Sequence, residues 1–204
     1  MKAYKERKSA IAKRLVEFKE TGEKASDKQL FSELAFCLLT PQSKARSCDI
    51  AIKKLLIGDL LFTAPPEKMA GIIKGCVRFH NNKARYIAEA RSLSVRELLP
   101  KDRSEKTAIE ARNRLAGEVK GLGMKEAGHF LRNVGYGDYV TILDRHIIRN
   151  LARYGAIPGM PKSLSRGRYL EIEEAMKKFA KKVGIPLSHI DILFWSEETG
   201  EIFK

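Results

Sequence analysis

The sequence predicts an all-α protein of about ten helices, and three observations predict it. Apolar residues recur at helical spacing through most of the chain. The one strand-like run, Tyr139-Val140-Thr141-Ile142-Leu143, is short and has no second run nearby to pair with, so it reads as an extended connector. No internal repeat and no low-complexity linker divides the chain, so any second lobe must arise from distant segments packing together.

The elements follow in order. Ile11, Leu15 and Phe18 mark an N-terminal helix. Leu30, Phe31, Leu34, Ala35 and Leu38 mark a second, capped by Ser26 or Asp27 and stopped before Pro41. Lys44 to Leu56 is a third, ending at Gly58. Short pieces follow near 60–63 and 66–74, the latter entered through Pro65-Pro66. Asn81 or Asn82 is expected to cap a helix running to about Arg91. Ser104 opens the next, with Ile109, Leu115 and Val119 on its inner face. Residues 124–134 carry Ala127, Phe130, Leu131 and Val134, and Asp144 precedes Ile147, Ile148 and Leu151. Tyr169, Ile172, Met176, Phe179 and Val183 form a stripe, and Pro186 starts a final short helix.

Composition narrows the function. The 204 residues include 39 Lys or Arg against 25 Asp or Glu, a formal charge of +14, with 44% hydrophobic residues to supply a core. No apolar run is long enough to span a bilayer, and the charged N-terminus MKAYKERKSAIAKRL lacks the apolar stretch of a secretion signal. Cys37, Cys48 and Cys76 are too few for a disulfide framework or a four-cysteine metal site, so a reducing cytoplasm is the expected location. The positive surplus points to a polyanion, with nucleic acid first, because neutralised phosphates release counterions. The plain alternative is a heat-tolerant protein with a solvated basic surface. The last stretch reverses the sign, with Asp191, Glu197, Glu198 and Glu201 against Lys204, so it is expected to pack into the protein rather than lie along phosphates.

The informative segment is Lys120-Gly-Leu-Gly-Met-Lys-Glu-Ala-Gly-His-Phe-Leu-Arg132. A helix ends near Lys120, Gly121 and Gly123 permit a tight turn of positive φ, and a second helix starts at once. Free backbone N–H groups at such a turn form a phosphate site. Lys125 lies in the first turn of the second helix, where a solvated phosphate contact is its ordinary role. Further on comes Ile142-Leu-Asp-Arg-His-Ile-Ile-Arg149, in which Asp144 has the position of an N-cap, reached through a connector containing Gly135 and Gly137.

Together these residues resemble the helix-hairpin-helix DNA glycosylase superfamily in its bifunctional glycosylase/lyase form. Upstream, Glu33-Leu-Ala-Phe-Cys-Leu-Leu-Thr-Pro-Gln42-Ser-Lys44 is similar to that superfamily's early helix and duplex-probing loop, and Phe79-His-Asn-Asn-Lys83-Ala resembles its N-x-K-A helix start. The likeness covers most of residues 27–155. The string Leu39-Thr-Pro-Gln-Ser-Lys-Ala45 and the ending Trp195-Ser-Glu-Glu-Thr-Gly-Glu-Ile-Phe-Lys204 are most similar to the compact second family of 8-oxoguanine DNA glycosylase/AP lyases. No cysteine follows Cys76, so the iron–sulfur cluster of other branches is not expected.

The resemblance implies two helical lobes with the hairpin at the cleft: residues 30–130 in one, 1–29 with 131–204 in the other. It implies a catalytic pair. The Lys125 amine attacks C1′ of the damaged nucleoside, and Asp144 stabilises the charge developing on the sugar. Partial burial and nearby cations are expected to favour the neutral amine. It implies Gln42 as the plug that replaces the flipped base, and Lys204, Trp195 and Phe79 as contacts to that base. Oxidation at C8 turns N7 of guanine into a donor, so the α-carboxylate of Lys204 is the expected acceptor, and an added residue there should weaken excision. Gly121, Gly123, Lys44, Lys83 and Arg145 are expected at the DNA backbone, with Arg78 and Arg149 as further candidates. The carbonyls of Gly117, Val119 and Leu122 match positions that hold a structural K⁺ or Na⁺ ion. No other cofactor is required, the protein is expected to act as a monomer on damaged DNA, and His146 reads as structural. Two alternatives stay open: the same chemistry on another oxidised base, or a hairpin module that binds DNA without catalysis.

Overall fold

The computed structural model describes residues 2–204, and among them every regular element is helical. Helix α1 spans Lys2–Lys24 and α2 spans Asp27–Leu39. Ser26 caps α2 with a reciprocal box: its hydroxyl accepts from Gln29 N, and its own N–H donates to Gln29 Oε1 at 2.8 Å. Helices α3 (Ala45–Leu56), α4 (Leu60–Thr63) and α5 (Pro66–Ile73) follow, with a left-handed break at Gly58 and Asp59. Helix α6 spans His80–Ala90, and its N-cap is Phe79 rather than Asn81 or Asn82. Phe79 turns the chain through a left-handed conformation (φ 56°), so the helix starts before either asparagine can cap it.

Helix α7 (Glu105–Glu118) buries Ala108, Ala111, Arg112 and Leu115, and Val119 is buried just past its end, so of the expected inner-face residues only Ile109 is half-buried. On that face the Arg112 guanidinium is fully buried in an ion pair with Glu173. The same Glu173 carboxylate accepts from Thr141 N at 3.2 Å and Thr141 Oγ1 at 2.7 Å. A charge that deep persists only when paired. This pair ties α7, the extended connector 140–144 and a distant helix together.

Helix α8 (Met124–Leu131) continues into a π-helical turn over Arg132–Tyr136, which takes up the end of the expected 124–134 segment, and Gly135 at φ 89° turns the chain just beyond it. Then come α9 (Arg145–Arg153), α10 (Arg166–Val183) and α11 (Leu187–Thr199), the last longer than the short helix expected after Pro186.

Buried apolar residues form two clusters. One draws on α2 to α8 together with Val140 and Phe203. The other joins Ile11 and Phe18 of α1 to Leu143 and to α9, α10 and α11. Trp195 packs against both. Phe203 therefore leaves the cluster that holds α11 and returns to the first one, a crossing that matters below.

The hairpin between α7 and α8 depends on one glycine. Gly121 has φ 88°, and a Cβ there would lie 2.2 Å from the ring of Tyr86. Gly123 is different from expectation: it is the extended N-cap of α8, with φ −92°. Gly121→Ala combines a left-handed penalty with a steric collision, so it should cost about 2–4 kcal/mol of stability. Thermal or urea unfolding of the purified variant measures this, and Gly123→Ala should cost less.

Candidate active site

The two clusters flank a cavity of about 1100 Å³, lined among others by Gln42, Lys44, Lys125, Asp144, Arg145, Trp195 and Lys204. Lys125 and Asp144 thus reach one cavity from different elements. Lys125 sits in the first turn of α8, delivered by the hairpin, with its side chain 26% exposed. Helix α8 lies close to the connector because residue 128 is glycine: a Cβ there would stand 2.4 Å from the Thr141 carbonyl oxygen. That close approach sets α8 beside the strand of chain leading into Asp144.

Asp144 is the N-cap of α9, and its Oδ1 accepts from Ile147 N at 2.8 Å. The hydrogen bond fixes the carboxylate at the N-terminus of α9. Lys125 was expected among cations, but its ammonium meets the Glu126 carboxylate at 2.9 Å. The amine must leave this partner to reach a substrate.

The cavity also contains groups that no sequence motif flagged. His129, one turn after Lys125 on α8, is buried against the edge of Phe36, with its Nε2 unpartnered. Burial holds its imidazole well below the ordinary histidine range, with the Arg132 charge adding to the effect, so the ring is neutral. Arg132 and Asp191, both buried, face each other at 3.4 Å (Nε to Oδ2). Burial pushes the Asp191 carboxyl up to about 6, opposed by Arg132 and reinforced by Asp144. The only advance signal for His129 was its helical spacing from Lys125; the Arg132–Asp191 pair joins residues far apart in the chain and had none.

Other expected positions divide. Gln42 is exposed at the cavity wall in a left-handed turn (φ 53°), and Lys44 and Arg145 are exposed beside it. Gly121 and Gly123 are exposed on the hairpin, outside the cavity lining. Phe79 is not among the residues that line the cavity; its ring is 53% exposed, with the Arg78 guanidinium over it at 5.6 Å. Lys83 does not face solvent phosphate. Its ammonium is buried and donates to Leu39 O at 2.7 Å, Pro41 O at 2.7 Å and Ser43 Oγ at 2.9 Å. Three acceptors occupy all three ammonium hydrogens. Burial lowers this ammonium to about 8. Lys83 therefore shapes the turn that presents Gln42. Arg149 is engaged by Glu198 at 2.5 Å, and His146 faces the same carboxylate at 3.5 Å. Among the described residues no cluster of three or more His, Cys, Asp or Glu side chains is arranged to hold a metal, and no helix is long and apolar enough to cross a membrane.

An all-helical fold with this hairpin, a lysine on its second helix and a capping aspartate reaching the same cavity is the arrangement that the resemblance to the helix-hairpin-helix class of DNA glycosylases implies. Comparison with known proteins narrows the class. A family model described as 8-oxoguanine DNA glycosylase matches residues 11–185. The chain belongs to the 8-oxoguanine DNA glycosylase family. It is 42% identical over 207 residues to the 8-oxoguanine DNA glycosylase/AP lyase of Fusobacterium nucleatum, covering 100% of this chain and 95% of that one. It is 41% identical over 199 residues to the protein of that name from Methanocaldococcus jannaschii, covering 97% and 93%. Among solved structures, the 8-oxoguanine DNA glycosylase of Thermotoga maritima superposes with a TM-score of 0.88 at 33% identity, covering 100% and 95%. The M. jannaschii glycosylase/lyase, solved with a 15mer DNA containing 8-oxoguanine, matches with a TM-score of 0.88 at 37% identity, covering 100% and 98%.

Proposed function

We propose that this protein removes 8-oxoguanine from DNA and then cleaves the strand at the resulting site. The observation that carries the reading is the pairing of a lysine and a capped aspartate in one cavity between the two clusters, in a chain of this family. The Lys125 nitrogen bonds to C1′ as the glycosidic bond breaks and the base leaves with the bonding pair. Asp144 lies where its charge stabilises the electron-poor sugar. The amine loses its proton and the sugar ring opens, giving an imine between Lys125 and C1′. Loss of a C2′ proton then expels the 3′ phosphate, and hydrolysis of the imine frees the lysine.

The remaining residues take roles around this step. The exposed backbone amides near Gly121 and Gly123 hold a phosphate, and Lys44 and Arg145 face the strand. Gln42 fills the gap left in the duplex, with Lys83 holding its turn. Trp195 and Lys204 border the space for the extruded base. The carbonyls of Gly117, Val119 and Leu122, at the end of α7 and in the hairpin that follows, would supply the oxygen ligands that a hard monovalent cation prefers. Catalysis needs no further cofactor, and one copy of the chain carries every residue in the scheme.

Duplexes carrying 8-oxoguanine, an oxidised pyrimidine or unmodified guanine test the reading. Incubation with excess protein should release 8-oxoguanine and nick that strand without added alkali. Preferential release of the pyrimidine lesion would contradict the substrate assignment. Binding to all three duplexes without base release would reduce the protein to a DNA-binding module.

A further inference from the structure

Residues 201–204 leave α11, cross the cleft and are gripped by side chains of the opposite lobe. Phe203 is buried in the first cluster, edge-on to Phe36 of α2 with ring centroids 6.5 Å apart. The Arg46 guanidinium of α3 lies 3.9 Å from the Phe203 ring centroid and also pairs with the Glu201 carboxylate. The Lys204 ammonium donates to Glu33 Oε1 at 2.6 Å and stands 4.7 Å from the centroid of Phe36. The other Glu33 oxygen accepts from Asn133 Nδ2 at 3.1 Å.

The Glu33–Lys204 pair is unlike a surface ion pair. Its side chains are 18% and 20% exposed, so solvent screens them little. Glu33 is also held on its second oxygen, which removes the freedom that makes most exposed pairs weak. Lys204 and Trp195 line the cavity, whereas Glu33 does not. Glu33 therefore reaches that wall through Lys204.

We propose that Glu33 is a positioning residue for base recognition: by fixing the Lys204 ammonium it sets the cavity wall that meets the extruded base. This rests on the functional reading above. It deepens that reading by separating two steps with different needs. Base excision requires a shaped wall, whereas cleavage at a site already lacking its base requires only the lysine chemistry and the strand grip. Loss of Glu33 therefore depresses the first step more than the second.

The test uses the full chain with Glu33→Gln, which keeps the shape and an oxygen for Asn133 but loses the charge that holds Lys204. Single-turnover release of 8-oxoguanine is compared with strand cleavage on an otherwise identical abasic duplex. The ratio of the two rates should fall about tenfold in E33Q. Lys204→Met should lower the same ratio, and the double variant should be no worse than the poorer single variant, because both remove one interaction. Equal losses in both assays would assign Glu33 a general folding role and overturn the proposal, as would an unaltered ratio or additive effects in the double variant. A wild-type protein that leaves 8-oxoguanine in place while cleaving the abasic duplex overturns the substrate reading, and the clamp's role in base recognition with it. A wild type that excises the base beside an E33Q of unchanged ratio overturns the clamp alone.

Discussion

Lys125→Gln should eliminate the covalent complex that borohydride traps between the protein and lesion DNA, and should slow strand cleavage by about a thousandfold or more. The glutamine amide is not a nucleophile at carbon, so the imine cannot form. Folding should survive, because Lys125 is a partly exposed first-turn residue whose one charged contact is Glu126. Affinity for lesion DNA should change far less than turnover, since the hairpin amides near Gly121 and Gly123 stay in place. Gel analysis of borohydride-treated mixtures, beside a binding titration, reads both quantities. Retained trapping in K125Q would place the nucleophile elsewhere.

The second large effect is expected at Asp144. Asp144→Asn should slow base release by about a hundredfold to a thousandfold, the range for removing one preorganised electrostatic contact to a transition state. Asparagine caps helices about as well as aspartate, so the bond to Ile147 N has a direct replacement and α9 should keep its start. What disappears is the negative charge beside the sugar. Single-turnover base release, DNA affinity and thermal unfolding measured on the same preparation separate these effects. A parallel fall in stability, affinity and rate would mean that Asp144 is only a helix cap.

The sequence revealed the helical class and the two chemical groups for a physical reason: both are local signals. Ser26 with Gln29 is a capping box within four residues, and Asp144 before Ile147 is a cap within the same span. The glycine turn before Lys125 is likewise contained in one short segment. What stayed hidden is non-local. Nothing local marked Arg112 as buried, because its partner Glu173 comes from α10, far along the chain. Lys83 looked like a phosphate contact because its three acceptors lie in the turn around residues 39–43, on another helix end. The left-handed backbone of Phe79, which makes it the N-cap of α6 in place of Asn81 or Asn82, was not legible in the sequence either. The Arg132–Asp191 pair and the neutral His129 were invisible for the same reason: burial and pairing are properties of the packed chain.

The division of the core into two apolar clusters has a functional consequence. The amine arrives on the hairpin of one cluster, and the carboxylate arrives on the first residue before a helix of the other. Buried Arg112 and Glu173 link the two clusters, and Phe203 crosses back between them. The cavity is thus bordered by elements that these contacts hold in place relative to one another, which suits a site that must hold reacting atoms in a fixed geometry.

The most direct test of the account is to trap the wild-type protein on an 8-oxoguanine duplex with borohydride, digest it and locate the DNA-modified peptide by mass spectrometry. The account predicts a single adduct on the Lys125 side chain. An adduct on another lysine or on the N-terminal amine, or none at all while the base is still released, would contradict it.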